Sequence, residues 1–193
     1  MSFSNIILLL LIIAAVYMVM AYNNLVGMKQ RLLSAWSDIE VQLKKRYNLI
    51  PALVDTIKGY TKHESETLES VIKARNMALS AHDAGDASKA EAMYKSAVSG
   101  LFGLSEAYPD LKANENFINL QNQLQNIESD IESARRYYNA TVRDYNAKLD
   151  SFPELYIAKQ FNFVPYEYFE VDEAIEADVY KMPKINLWEN YYY

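Results

Sequence analysis

The sequence contains no cysteine, which excludes disulfides, thiolate metal sites and cysteine nucleophiles. Glycine and proline are scarce, at five each in 193 residues. A turn-rich β fold needs more of both, so the shortage favours long uninterrupted helices. Histidine occurs only as His63 and His82, in separate segments. His63 adjoins Glu64, but adjacent residues on a helix point about 100° apart and do not chelate one ion. There is no glycine-rich phosphate loop; GLFGL at 100–104 sets its two glycines in an apolar run. An excess of positive charge is also missing: the formal net charge is −6, so nothing global marks a nucleic-acid partner. The acids Glu128, Asp130 and Glu132 read as a solvated charge run on one helix face. No catalytic constellation forms, and neither a metal nor a cofactor is expected.

What the chain does have is one long hydrophobic run. Residues 3–22 carry no charge, and Ile6 to Ala21 is unbroken apolar. Twenty helical residues span roughly 30 Å, the thickness of a bilayer's hydrocarbon core. Residues 1–22 are therefore expected to be a transmembrane anchor, with Phe3, Ile6, Leu10, Ile13, Val16 and Tyr17 in lipid and Tyr22 near the headgroups. A cleaved signal peptide needs a basic start and a small-x-small site. No Lys or Arg precedes the run, and bulky Val19 occupies the first position of Val19-Met20-Ala21. A retained, single-pass anchor in the cell membrane is the better reading. Lys29 and Arg31 follow the span and none precedes it, so the positive-inside rule puts the C-terminal domain in the cytoplasm, the periplasmic or extracellular side being the alternative. Both are candidate lipid-headgroup contacts.

Residues 23–152 read as an all-α, elongated antiparallel bundle of about four long helices. Leu25, Met28, Leu32, Ala35 or Trp36, Ile39 and Leu43 recur in steps of three and four, a packed seam. The membrane helix is expected to continue along them to about Arg46. A second helix is expected over 48–81, with Asn48 as N-cap and Pro51 in its first turn. HDAGDA at 82–87 is the clearest break. Ser88 and Glu91 have capping-box spacing for a third helix that stops ahead of Pro109. The fourth, from Phe117 through Leu124, Ile131, Tyr138 and Tyr145 to Leu149, is the most regular and has about 36 residues. Asp110 or Asn114 is placed to cap it, and Arg135 or Arg136 to pair with an acid on a facing helix.

Residues 153–193 are expected to form an extended, acidic, aromatic C-terminal tail. Twelve aromatics lie in 152–193, among them Phe161, Phe163, Tyr166, Tyr168, Phe169, Trp188, Tyr191, Tyr192 and Tyr193. Disordered tails are poor in aromatics. This tail suits a groove, on its own bundle or on a neighbouring subunit, and a homo-oligomer contact is expected there.

Several segments together resemble the LemA family. They are Ala35-Trp36-Ser37-Asp38-Ile39, Val41 to Arg46, Leu49-Ile50-Pro51-Ala52-Leu53-Val54 and Lys58-Gly59-Tyr60. Tyr108-Pro109-Asp110-Leu111-Lys112, Ala134 to Asn139, Val142 to Asn146 and Ser151-Phe152-Pro153 follow in order. The likeness covers about residues 20–170. It implies a mostly bacterial protein with an N-terminal membrane segment and an all-α domain, and it implies no reaction. Lipid anchoring through a cysteine, as in some relatives, is not available to this chain.

The function expected is that of a non-enzymatic, membrane-anchored helical scaffold that self-associates or recruits an unidentified protein partner. Trp36, Tyr108, Pro109, Asp110, Lys112 and the tail aromatics are the expected contacts. The alternatives are a lipid-organising coat that binds anionic headgroups through basic residues 29–46, and an accessory subunit of a membrane enzyme.

Overall fold

A computed structural model describes residues 3–61, 64–81 and 83–170 of the chain. Among them are six helices and no strand: α1 Phe3–Lys58, α2 Ser65–Leu79, α3 Ala84–Ala107, α4 Pro109–Lys112, α5 Glu115–Asp150 and α6 Glu154–Gln160. The all-α expectation holds.

Helix α1 is 56 residues long and changes environment partway along. Its apolar stretch is wholly exposed, and it is long and apolar enough to cross a membrane. From Ala21 and Leu25 onward one stripe is buried, through Leu32, Ala35, Ile39, Leu43, Tyr47 and Ile50 to Ile57. The span thus passes into the bundle core without a break. It also runs farther than the seam suggests, through Pro51 to Lys58, so no helix starts at Asn48. A proline inside a helix leaves the carbonyl four residues earlier without its donor. Here that carbonyl belongs to Tyr47, and the Arg75 Nε–H of α2 donates to it at 2.8 Å. The turn falls instead after Gly59, with Tyr60 and Thr61 donating back to the Ile57 carbonyl.

The cap of α3 also differs from the sequence reading. Asp83, in extended conformation, accepts from the Asp86 amide and starts the helix one turn earlier than Ser88. Ser88 instead donates to the Ala84 carbonyl, and Glu91 is buried. Asn114 does cap α5, accepting from the Phe117 amide at 2.9 Å. Helix α5 has the expected 36 residues.

Pairings fix the directions. Trp36 meets Tyr138, Arg46 meets Glu128 and Tyr60 meets Asn114, so α5 runs antiparallel to α1. Arg46 also meets Glu91, and α2 pairs with α3 as a hairpin laid on the far half of the α1–α5 pair. The near half lacks that hairpin. There, α6 and the chain from Phe161 to Glu170 take its place, which gives the molecule a second packed layer along its length. The first part of the tail is therefore helical rather than extended. Asn162, at φ 55, ends α6, and the Phe163 amide donates back to the Ala158 carbonyl. Asparagine tolerates this left-handed position, which turns the chain up along α1.

Candidate functional site

Three regions combine polar chemistry or exposed apolar surface with a defined geometry. The first is an ion cluster inside the far half. Arg46 is fully buried and donates from Nη1 to Glu91 Oε1 at 2.8 Å and to Glu128 Oε1 at 3.1 Å. Its Nη2 donates to the other Glu91 oxygen and to the Tyr47 hydroxyl at 3.2 Å. The guanidinium carbon lies 4.1 Å from the centre of the Tyr94 ring, a cation–π stack. Burial alone would lower the Arg46 pKa, but the Glu91 hydrogen bonds and the Glu91 and Glu128 charges outweigh it and raise the net value. This guanidinium never gives up its proton. The Tyr94 hydroxyl is pushed up by burial, so it too stays neutral. An arginine locked this way cannot act as acid or base, and the cluster ties α1, α3 and α5 together.

Sequence reasoning missed this centre. Arg46 ends the run Lys44-Lys45-Arg46 and looks like part of a basic surface, and Glu128 looked solvated. The signal was the step from Leu43 to Arg46 to Ile50, which puts the arginine on the buried stripe. Of the two arginines offered for interhelical pairing, exposed Arg136 bridges to Glu132 on its own helix, and Arg135 is half-buried.

The second region is a track on α5. Asn139 accepts from the Phe169 amide at 2.9 Å and donates to the Phe169 carbonyl at 3.2 Å. Asn146 does the same for Tyr166, at 3.0 and 2.9 Å. Seven helical residues advance about 10.5 Å and three extended residues about 10 Å, so the registers match. The tyrosine before each asparagine completes the track. Tyr138 donates to the Glu167 carbonyl at 2.9 Å, and Tyr145 meets the Tyr166 ring edge-on at 5.7 Å. Phe169 is fully buried against Trp36, ring centres 5.8 Å apart. The Glu170 amide then reaches Ser88 Oγ, and Gly85 leaves room for the Glu167 carboxylate. Trp36, Phe163, Tyr166 and Phe169 are thus engaged within their own chain, as are Phe161 and Phe163 with Tyr22. Tyr168 remains partly exposed. Trp188, Tyr191, Tyr192 and Tyr193 lie outside the described residues, as do His63 and His82.

The third region is the far end. Tyr108 donates to Glu64 Oε1 at 3.0 Å, and Leu111 of α4 is fully buried, so the corner is pinned to the bundle from inside. Pro109, Asp110 and Lys112 face outward. Alongside, the outer faces of α1 and α2 frame a groove of about 740 Å³ with Val54, Leu68, Ile72 and Met77 as apolar lining and Lys58, Glu69 and Lys73 among the polar residues. At the opposite end, Lys29 is half-buried and Arg31 exposed. Lys44 and Lys45 lie about 33 Å along α1 from Tyr22. That is several Debye lengths from a bilayer surface. Among the described residues no group of three or more His, Asp or Glu side chains could hold a metal ion.

The described residues thus form an all-α bundle whose first helix carries an exposed apolar span long enough to cross a membrane, with an asparagine-clamped strap along its base. The LemA family model matches residues 35–186, and the chain belongs to the LemA family. It is similar to Protein LemA of Metamycoplasma hominis, 27% identical over 81% of this chain and 72% of that protein. It is also similar to Magnetosome protein MamQ 1 and MamQ 2 of Paramagnetospirillum magneticum, each 23% identical over 84% of this chain and 69% of theirs.

Proposed function

We propose that this protein is a non-enzymatic scaffold, anchored in the membrane by the first turns of α1, that holds a protein-binding surface far from the bilayer. The observation that carries the reading is the continuity of α1. From Tyr22 to Lys58 the helix extends about 54 Å, and its buried stripe fixes the bundle to the span without a linker. The groove beside Val54 and Ile72 lies at the end of that reach. An apolar floor edged by charges of both signs suits an amphipathic helix, from a partner or from a second copy. None of the relatives' names denotes a reaction. Lys29 and Arg31, just after the span, support a cytoplasmic bundle in this reading.

The lipid-coat alternative is weaker, because, of the basic residues in 29–46, Arg46 is internal, Lys44 and Lys45 lie far along α1, and Lys29 and Arg31 alone are near the membrane end. Photo-crosslinking in intact cells tests the scaffold reading. A photoreactive residue at Met77 in the groove should give a discrete adduct, and one at exposed Glu132 on α5, outside the groove, should not. No adduct from any groove position would count against it.

A further inference from the structure

Helix α6 hangs at the membrane end of the bundle, lower than its place in the chain suggests. The Tyr17 hydroxyl donates to Glu154 Oε1 at 3.2 Å. Tyr17 lies inside the apolar stretch, five residues before Tyr22, or about 7.5 Å along the helix. A hydrocarbon core of about 30 Å counted from Phe3 ends near Tyr22. A segment pinned at Tyr17 therefore meets the bilayer, unless the hydrocarbon thins by several ångströms.

The outer surface of that segment is built for such a position. Phe152 is 80% exposed and Tyr156 65%, and their rings meet edge to face at 6.0 Å. Phe161, exposed on one side, packs on Tyr22 with the other. Its charge is turned the other way. Glu154 is buried between Lys148, with which it forms an ion pair, and the Tyr17 hydroxyl. The hydrogen bond from Lys148 holds its carboxyl below the usual range despite burial. A carboxylate at this level is tolerable only when neutralised in this way. Lys159 and Gln160 remain exposed on the same short helix, where they reach headgroups.

We propose that residues 152–161 form an interfacial foot that slants through the bilayer surface, from the level of Tyr17 to that of Tyr22, and inserts Phe152 and Tyr156 at the boundary between headgroups and acyl chains. The ligand is the lipid surface itself. Buried to about 5–10 Å, as interfacial helices are, the foot matches the depth set by Tyr17. It fixes the tilt of the whole molecule against the bilayer, since the continuous α1 sets the angle between span and bundle but leaves both free to tilt together. The inference rests on the reading that residues 3–21 cross the bilayer.

Because the chain has no cysteine, single cysteines test it cleanly. Full-length protein bearing Leu10→Cys, Tyr156→Cys or Glu69→Cys is labelled with an environment-sensitive fluorophore. It is then placed in vesicles of phosphatidylcholine and phosphatidylglycerol containing lipids nitroxide-labelled near the headgroup or near the acyl terminus. The label at Tyr156 should lose more fluorescence to the shallow quencher than to the deep one, Leu10 the reverse, and Glu69 in the distal groove little to either. Phe152→Cys repeats the measurement at the more exposed ring, so that a disturbed α6 in one variant leaves the answer intact. Quenching at Leu10 with none at positions 152 and 156 overturns the foot and leaves the anchor standing. That outcome covers both a wet surface and one covered by a second copy. A label at Leu10 that neither lipid quenches overturns both.

Discussion

Arg46 shows how one side chain can hold three helices in register. It is the only buried arginine among the described residues, and Glu91 beside it is 2% exposed. Removing one partner of a buried pair strands the other charge, at a cost of about 3–5 kcal/mol. Arg46→Leu should therefore lower stability by about that much, measured by denaturant unfolding in mild detergent. Adding Glu91→Leu should recover most of the loss; simple additivity would contradict the coupling. Tyr138 makes a pH prediction. Burial, with the charges at Tyr166 and Glu167 adding, pushes its hydroxyl up to about 12. An unfolded tyrosine titrates near about 10. Between these values the unfolded chain loses a proton that the folded one keeps, so stability present below pH 10 is lost as the pH rises toward 12. The loss is on the order of 2–3 kcal/mol. Tyr138→Phe should flatten this alkaline decline, and an unchanged profile would argue against it.

At the scale of elements, α1 and α5 were legible because their stripes run for many turns without competition. The second helix was misplaced because Pro51 looks like a helix start. What lets α1 continue is a donor from Arg75, which local pattern cannot reveal. Arg75→Leu should cost about 1–2 kcal/mol, the penalty for a polar group left unmade. In a Pro51→Ala background the effect should shrink, since the alanine amide restores the missing donor. Equal effects in both backgrounds would refute the compensation. The α3 cap was misread for a similar reason: Glu91, three residues after Ser88, is taken by Arg46. The strap was half legible. Tyr138-Asn139 and Tyr145-Asn146 repeat at seven residues, but the repeat has meaning only with the extended chain beside it. Asn146→Ala should speed hydrogen exchange at the Tyr166 amide by roughly tenfold or more, as loss of about 1–2 kcal/mol implies. Unchanged exchange would mean the clamp does not hold.

The whole molecule is a long helix pair covered by two different second layers. The α2–α3 hairpin covers the far half and offers the groove beside Ile72. The foot and strap cover the near half: Phe161, Phe163, Tyr166 and Phe169 pack on Tyr22, Tyr145 and Trp36, while Phe152 and Tyr156 stay exposed. That division explains why Phe163, Tyr166 and Phe169 of the tail pack within their own chain. It also makes the junction at residues 17–32 the mechanical centre, because anchor, foot and bundle all meet there. The direct test is a cysteine scan of residues 17–32 in the membrane-bound protein, reading spin-label mobility and solvent access. An unbroken α1 gives accessibility with a period of about 3.6 residues and minima at Ala21, Leu25 and Leu32. A mobile, aperiodic stretch between Tyr22 and Lys29 would contradict a rigid scaffold and leave only a tethered domain.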